Sequence, residues 1–169
     1  MKIMSEPVIE TQENEVDVVK YSDNLQEQVL NLIKNVRAEN DLETDEVEFA
    51  DLEDPNEEYL NKGGVFYVAL DSNGFVVGTI ALSINSDTQG EIKRFYLKPE
   101  FRKKGIGKAL IKQALEFCKK QSLQECVLKT DQKLVKAIEF YRDHGFKIVT
   151  DNSGKISMSL NLSEVSSAL

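Results

Sequence analysis

Phe101-Arg102-Lys103-Lys104-Gly105-Ile106-Gly107-Lys108-Ala109-Leu110 lies between a strand-like run, Glu91 to Leu97, and an amphipathic segment, Gly107 to Lys120. Pro99 and the two glycines break the extended structure, so a helix is expected to begin near Ile106. The first turn of a helix carries unpaired N–H groups and a partial positive charge, and it binds anions well. Gly105 and Gly107 let the backbone approach a phosphate without a Cβ in the way. Arg102, Lys103, Lys104 and Lys108 add cations around the same point. The stretch reads as a pyrophosphate cradle. A Walker A loop would need Gly at 102 and Ser or Thr at 109, where this chain has Arg102 and Ala109. A dinucleotide fingerprint would need a small residue at 110, where the chain has Leu110.

A second segment, Ala137-Ile138-Glu139-Phe140-Tyr141-Arg142-Asp143-His144-Gly145-Phe146, follows downstream. Leu134, Ile138 and Tyr141 recur at helical spacing, and Gly145 suits the left-handed position that ends a helix. Phe146 then opens a strand. Between the two segments, Cys126-Val127-Leu128-Lys129-Thr130 reads as a buried strand.

The pattern Arg-x-x-Gly-x-Gly after Tyr96-Leu97-x-Pro99 resembles motif A of the GNAT N-acetyltransferase superfamily, and residues 137–146 resemble its motif B. The two occur in the family's order, and the resemblance extends over about residues 15–162, a single domain with loose ends at 1–14 and 163–169. It implies an α/β (α+β) fold: a mixed, mostly antiparallel central sheet with helices on both faces, splayed between Glu91–Leu97 and Cys126–Thr130. It further implies acetyl-CoA as co-substrate, with its pantetheine arm lying in that split like an added strand. By the same resemblance, the amide of Leu97 polarises the thioester carbonyl and Lys98 continues the cofactor contacts. Amides of Lys103, Lys104, Gly105, Ile106, Gly107 and Lys108 cradle the pyrophosphate with Arg102 at the rim. Tyr141 protonates the departing thiolate, as a phenol neutral at pH 7 can. One departure is Leu134, where many relatives carry an Asn that touches the cofactor.

Direct transfer to an amine needs a proton acceptor, a donor at the carbonyl oxygen and a proton for the thiolate, with no nucleophilic triad. A chain with one His and no good catalytic Cys suits that chemistry. Glu91 is the candidate base; it reads equally as an exposed carboxylate paired with Lys93 or Arg94, and a water chain would also serve. Lys93 and Arg94 themselves read as solvated strand residues. His144 reads as a residue of the helix-ending turn. The expected activity is acetyl-CoA-dependent N-acetylation of a primary amine on a polyamine, an aminoglycoside, an amino-acid derivative or a protein. The alternative is a non-catalytic CoA-binding regulatory module, and a nucleotide-binding regulator is a third, weaker reading.

Global features narrow the class. The 169 residues suffice for one domain with a proper core. No run reaches the roughly 18 apolar residues of a membrane span, and Met1 to Lys20 lacks the apolar core of a signal peptide. Cys118 and Cys126 have no metal or redox spacing and read as buried thiols of a reducing, cytoplasmic setting, so no metal is expected. Net charge is −8, yet eleven acids and no Lys or Arg fall between Glu39 and Glu58, leaving +3 for the rest. That distribution favours an anionic cofactor at the cradle and disfavours nucleic acid. The acidic run reads by itself as a solvated face; the resemblance implies instead that this region helps wall the acceptor site, where it would draw a cationic amine.

Along the chain, Val16 to Tyr21 reads as a strand, and Leu25, Val29, Leu32, Ile33 and Val36 as a helix stripe. A short helix is expected at Glu46–Leu52. Val65–Leu70 and Phe75–Ile84 form a hairpin in which Asn73-Gly74 supplies positive φ angles. A second hairpin pairs Phe146–Thr150 with Lys155–Leu162, and a free sheet edge there would suit a homodimer.

Overall fold

Val65–Leu70 (VFYVAL) and Val76–Ile84 (VVGTIALSI) consist largely of β-branched and aliphatic residues buried on both faces. They lie inside a seven-stranded sheet whose spatial order is β1-β2-β3-β4-β5-β7-β6. The strands are β1 (Asp17–Lys20), β2 (Val65–Leu70), β3 (Val76–Ile84), β4 (Gln89–Leu97), β5 (Glu125–Asp131), β6 (Lys147–Asn152) and β7 (Lys155–Asn161). The structure is a computed structural model that describes residues 15–42 and 46–165. Every neighbouring pair is antiparallel except β4 and β5, which run parallel and are joined by a helical crossover.

Among the described residues three α-helices cover the sheet: α1 (Gln26–Glu39), α2 (Ile106–Lys120) and α3 (Val135–Asp143). The stripe Val29, Leu32, Ile33 and Val36 buries α1 on one face against Phe66, Val68 and Ala81. Phe49 and Leu52 from a 3-10 helix, Glu46–Leu52, join that core, as does Tyr59 from a π-helical turn, Asn56–Leu60. On the opposite face, Leu110, Ala114, Leu115 and Cys118 of α2 pack with Ile80, Leu82, Leu128 and Met158. Ile138 and Tyr141 bring α3 into the same core. The helices therefore lie on both faces, as expected. A Cβ on Gly78 would stand 3.0 Å from both Leu110 Cδ1 and Leu97 Cδ1, so its absence lets α2 settle onto β3 beneath the end of β4.

Local differences from expectation have local causes. In the first hairpin only Gly74 takes positive φ, at 81°, because Asp71 Oδ1 accepts from the N–H groups of Asn73 and Phe75 and shapes the loop instead. The π-helical turn at 56–60 has no sequence signature. The C-terminal end, expected to fray from 163, continues as a 3-10 turn, Leu162–Glu164, with Asn161 Oδ1 accepting from the Ser163 N–H. Residues 1–14 and 166–169 lie outside the described residues.

Candidate functional site

β4 and β5 stay paired from Gln89↔Glu125 to Ile92↔Leu128, and then they part. Residues 93–97 of β4 thus face no partner on β5. The cause lies on the other side of β4, where Thr79 pairs with Tyr96 but Ala81 pairs with Lys93, so Ile80 opposes two residues. Arg94 is the extra residue of this β-bulge, with φ at 53°. Thr79, the one buried polar side chain among the described residues, donates its hydroxyl to the Arg94 carbonyl at 2.7 Å and holds the bulge. The expected splay exists, and a bulge opens it.

Leu97 and Lys98 end β4 at the mouth of the split, and Lys98 N–H remains tied to Val77 O at 2.9 Å. The chain then turns through Lys103 (φ 61°) and Gly105 (φ 84°) into α2. The amides of Gly105, Ile106, Gly107 and Lys108 have no backbone acceptor among the described residues, and Ala109 is the next donor, to Gly105 O. Gly105 is demanded by its left-handed φ. Gly107 is not demanded by packing, since a Cβ there would touch nothing closer than the Phe95 and Phe140 rings at 3.7 Å. The bare backbone there lets a ligand approach the start of the helix without a Cβ in the way. Lys103, Lys104 and Lys108 are exposed around this point. These residues fit an anionic diphosphate.

Arg102 differs from its expected place at the rim. Its Nε and Nη2 donate to Leu97 O at 3.2 and 3.0 Å, and Nη2 also pairs with Glu39 at the end of α1. The guanidinium is thereby a brace between the strand end and α1, because an acceptor and a carboxylate both lie within its fork.

Tyr141 projects from α3 into an aromatic cluster, with ring centroids 6.0 Å from each of Phe95, Phe140 and Phe146. Its hydroxyl makes no hydrogen bond among the described residues. Burial, with Tyr96 adding to it, pushes the phenol well above its ordinary pKa, so it remains a neutral donor. His144 stacks on Phe140 at 4.2 Å and its Nδ1 bonds Phe140 O at 2.8 Å, which keeps it in the helix-ending turn as expected. Gly145 there has φ 93°. Cys118 and Cys126 are buried free thiols.

Glu91 sits within the paired half of β4, one residue before the last pair with β5. Its Oε1 accepts from Asn85 Nδ2 at 3.0 Å, and the expected pairing with Lys93 or Arg94 is absent. Arg94 is not a solvated strand residue either. Its side chain is only 13% exposed and chelates Asp51, with Nε to Oδ2 at 3.0 Å and Nη2 to Oδ1 at 2.6 Å. Nη2 also reaches Glu48 O, and the guanidinium carbon lies 5.5 Å from the Phe49 ring centroid. Tyr59 donates its hydroxyl to Asp51 Oδ2 at 2.5 Å. Burial works to raise the Asp51 carboxyl, but the bonds from Arg94 and Tyr59 outweigh it and hold the group below its usual range. Burial and the neighbouring Asp51 push Tyr59 upward. Beside this cluster, Arg37 donates to the Tyr96 hydroxyl at 3.2 Å and lies 4.0 Å from Glu48. The pairing of Arg94 with Asp51 and Tyr59, and of Arg37 with Tyr96, escaped the sequence reading. The one available signal was Lys93-Arg94, two successive charges that interrupt strand alternation.

Among known proteins, the sequence of the acetyltransferase (GNAT) family matches residues 30–146. N-acetyltransferase family 8 member 2 of Rattus norvegicus is 36% identical over 103 residues, covering 58% of this chain and 45% of that protein. The chain thus spans about half the length of that curated relative. The crystal structure of a GNAT-family acetyltransferase from Staphylococcus aureus Mu50 superposes with a TM-score of 0.82 at 25% identity, covering 88% of this chain and 99% of the other. PaiA N-acetyltransferase from Thermoplasma acidophilum, in complex with coenzyme A, shares the fold with a TM-score of 0.70 at 24% identity, covering 87% and 99%.

Proposed function

Because the chain belongs to the acetyltransferase (GNAT) family, we propose that it transfers an acetyl group from acetyl-CoA directly to a primary amine. The observation that carries this reading is a coincidence of place: unpaired amides at the start of α2 lie beside the point where β4 and β5 part. The coenzyme A-bound Thermoplasma protein of the same fold supports it.

Acetyl-CoA, once bound, supplies an acyl thioester open to attack. The amides of Gly105 to Lys108 hold the diphosphate, and the exposed Lys103, Lys104 and Lys108 complement its charge. The unpaired edge of β4 at residues 93–97 offers backbone groups to the amides of the pantetheine arm, as a strand edge does. The Leu97 N–H polarises the thioester carbonyl at the end of that edge. Tyr141, kept protonated by burial, gives its hydrogen to the departing sulfur. Glu91 or water bound near it takes the proton released by the amine. Arg102 braces Leu97 rather than gripping phosphate.

The acceptor is a small-molecule or protein amine. Its attraction by the acidic run is weaker than formal charge suggests, because Glu39, Glu48 and Asp51 each have an arginine partner. A reducing cytoplasmic setting, read from the two free thiols, and pairing of two chains along the exposed edge of β6 belong to the same proposal. Incubation with acetyl-CoA, a thiol reagent and a panel of spermidine, kanamycin and a glycyl dipeptide tests the reaction. Release of CoA that depends on the amine, matched by acetyl-amine in mass spectra, is the expected result. Tight CoA binding with no amine-dependent release, unchanged in Tyr141→Phe, would instead support the regulatory module.

A further inference from the structure

Resting on the acetyl-transfer reading, we propose that Arg94 is a positioning residue for the acceptor amine: it clamps the Glu46–Leu52 turn onto the parted half of β4 and so sets the wall along which the amine approaches.

One residue here serves two surfaces. The Arg94 backbone is the bulge that separates β4 from β5, held through its carbonyl by Thr79 at 2.7 Å. The Arg94 side chain leaves the sheet on the α1 face and takes hold of the acidic turn at two points, the Asp51 carboxylate and the Glu48 carbonyl. A planar fork that bonds both oxygens of one carboxylate fixes distance and orientation together. Tyr59, from the following turn, bonds the same carboxylate, so two separate segments, β4 and the 56–60 turn, converge on Asp51. Phe49 lies under the guanidinium and Leu52 is buried beside it, which makes the clamp shape the turn rather than merely decorate it.

Stability alone is a poor reason for such a pair. Two charges with side chains 13% and 23% exposed lose hydration that their attraction only partly returns, and an apolar pair could fill the same volume. What the ion pair adds is a fixed register between the wall and the strand opening. The adjoining Arg37 repeats the arrangement on a smaller scale, joining Tyr96 of β4 to Glu48 of the turn. Both arginines tie the α1 face to residues of β4 that have no partner on β5. The cradle lies on the other side of this opening and shares none of these contacts, so the clamp is expected to govern the amine and not the coenzyme.

The test compares wild type with Arg94→Gln, Arg94→Lys, Asp51→Asn and Tyr59→Phe, using whichever of spermidine, kanamycin or the glycyl dipeptide the wild type acetylates best. KM for the amine is expected to rise roughly 10-fold in Arg94→Gln and Asp51→Asn, in line with the sensitivity of transfer to small misplacement. The CoA dissociation constant, by calorimetry, is expected to stay within about 2-fold in every variant, since the cradle is untouched. Arg94→Lys is expected to recover part of the loss, keeping the charge but not the fork. Should Arg94→Gln fail to fold, Tyr59→Phe removes one bond to Asp51 and carries the same prediction at about 3-fold. Unchanged amine KM in folded variants, or CoA affinity falling in step with amine KM, overturns the proposal. A wild type that binds no CoA and acetylates none of the three amines would overturn the acetyl-transfer reading on which it rests, a result distinct from an active wild type with indifferent variants.

Discussion

Around the start of α2, Lys103, Lys104 and Lys108 stand exposed beside amides that have no backbone acceptor; across the sheet, Arg94 is closed onto Asp51 and Arg37 onto Tyr96 and Glu48. The first region leaves its helix-start amides without a backbone acceptor among the described residues, and the second satisfies its charge internally. An anion-binding site must leave donors unmatched until its ligand arrives. A wall that sets approach geometry must instead be rigid beforehand, and internal pairing supplies that rigidity. The same residue types thus serve opposite ends, according to whether a partner lies within the fold.

The sharpest way to break this contrast is to put an anion in the cradle. Gly107→Asp has room for its Cβ, with the nearest atoms at 3.7 Å, so the fold should persist. CoA affinity should fall by at least about 100-fold, because repulsion replaces several charge-assisted bonds. Calorimetry showing undiminished binding would remove the cradle from the mechanism. Next in size, Tyr141→Phe keeps the ring and deletes the hydroxyl; kcat should drop by about 100-fold with CoA affinity intact, within the usual range for general acid catalysis. Equal kcat would leave Tyr141 a packing residue.

The wall should show its internal charge as acid sensitivity. The Asp51 carboxyl is depressed in the folded protein, so it stabilises above the ordinary carboxylate pKa of about 3.9 and that contribution fades as pH falls through the lowered folded value. Wild type should therefore melt higher than Asp51→Asn at neutral pH, with the gap closing below about pH 4 in thermal scans. A gap independent of pH would mean that the amide fails for reasons of shape. The smallest effect belongs to the brace between the two regions. Glu39→Gln breaks a pair with Arg102 whose side chains are 43% and 32% exposed, so melting should shift little, within the 0–1 kcal/mol of about the usual surface pair. A large loss of CoA affinity in that variant would show that the brace holds the cradle in place.

Much of this molecule was legible before folding. The Arg102-to-Lys108 stretch, the Tyr141 helix and the hairpins at Gly74 and Gly154 depend on neighbours a few residues apart, through helix periodicity and turn chemistry. The 3-10 helix at Glu46–Leu52 and β2 at Val65–Leu70 formed at the boundaries that their residue patterns imply. For Glu91 and Arg102 the sequence did not reveal the partners that the fold supplies: Asn85 for Glu91, and Leu97 O with Glu39 for Arg102. Arg94 reads as an ordinary solvated strand charge until the bulge turns it toward a carboxylate 43 residues away in the chain.

Local chemistry along the chain settles where strands and helices form, that a bare, cation-flanked backbone starts α2, and that a tyrosine follows on α3, because φ preferences and hydrophobic spacing act over one or two turns. Whether a given charge stands open or is spent belongs to the folded molecule alone. Pairing is a matter of distances in space, and the sheet brings together Arg94 with Asp51 and Arg102 with Glu39, which no short-range rule joins.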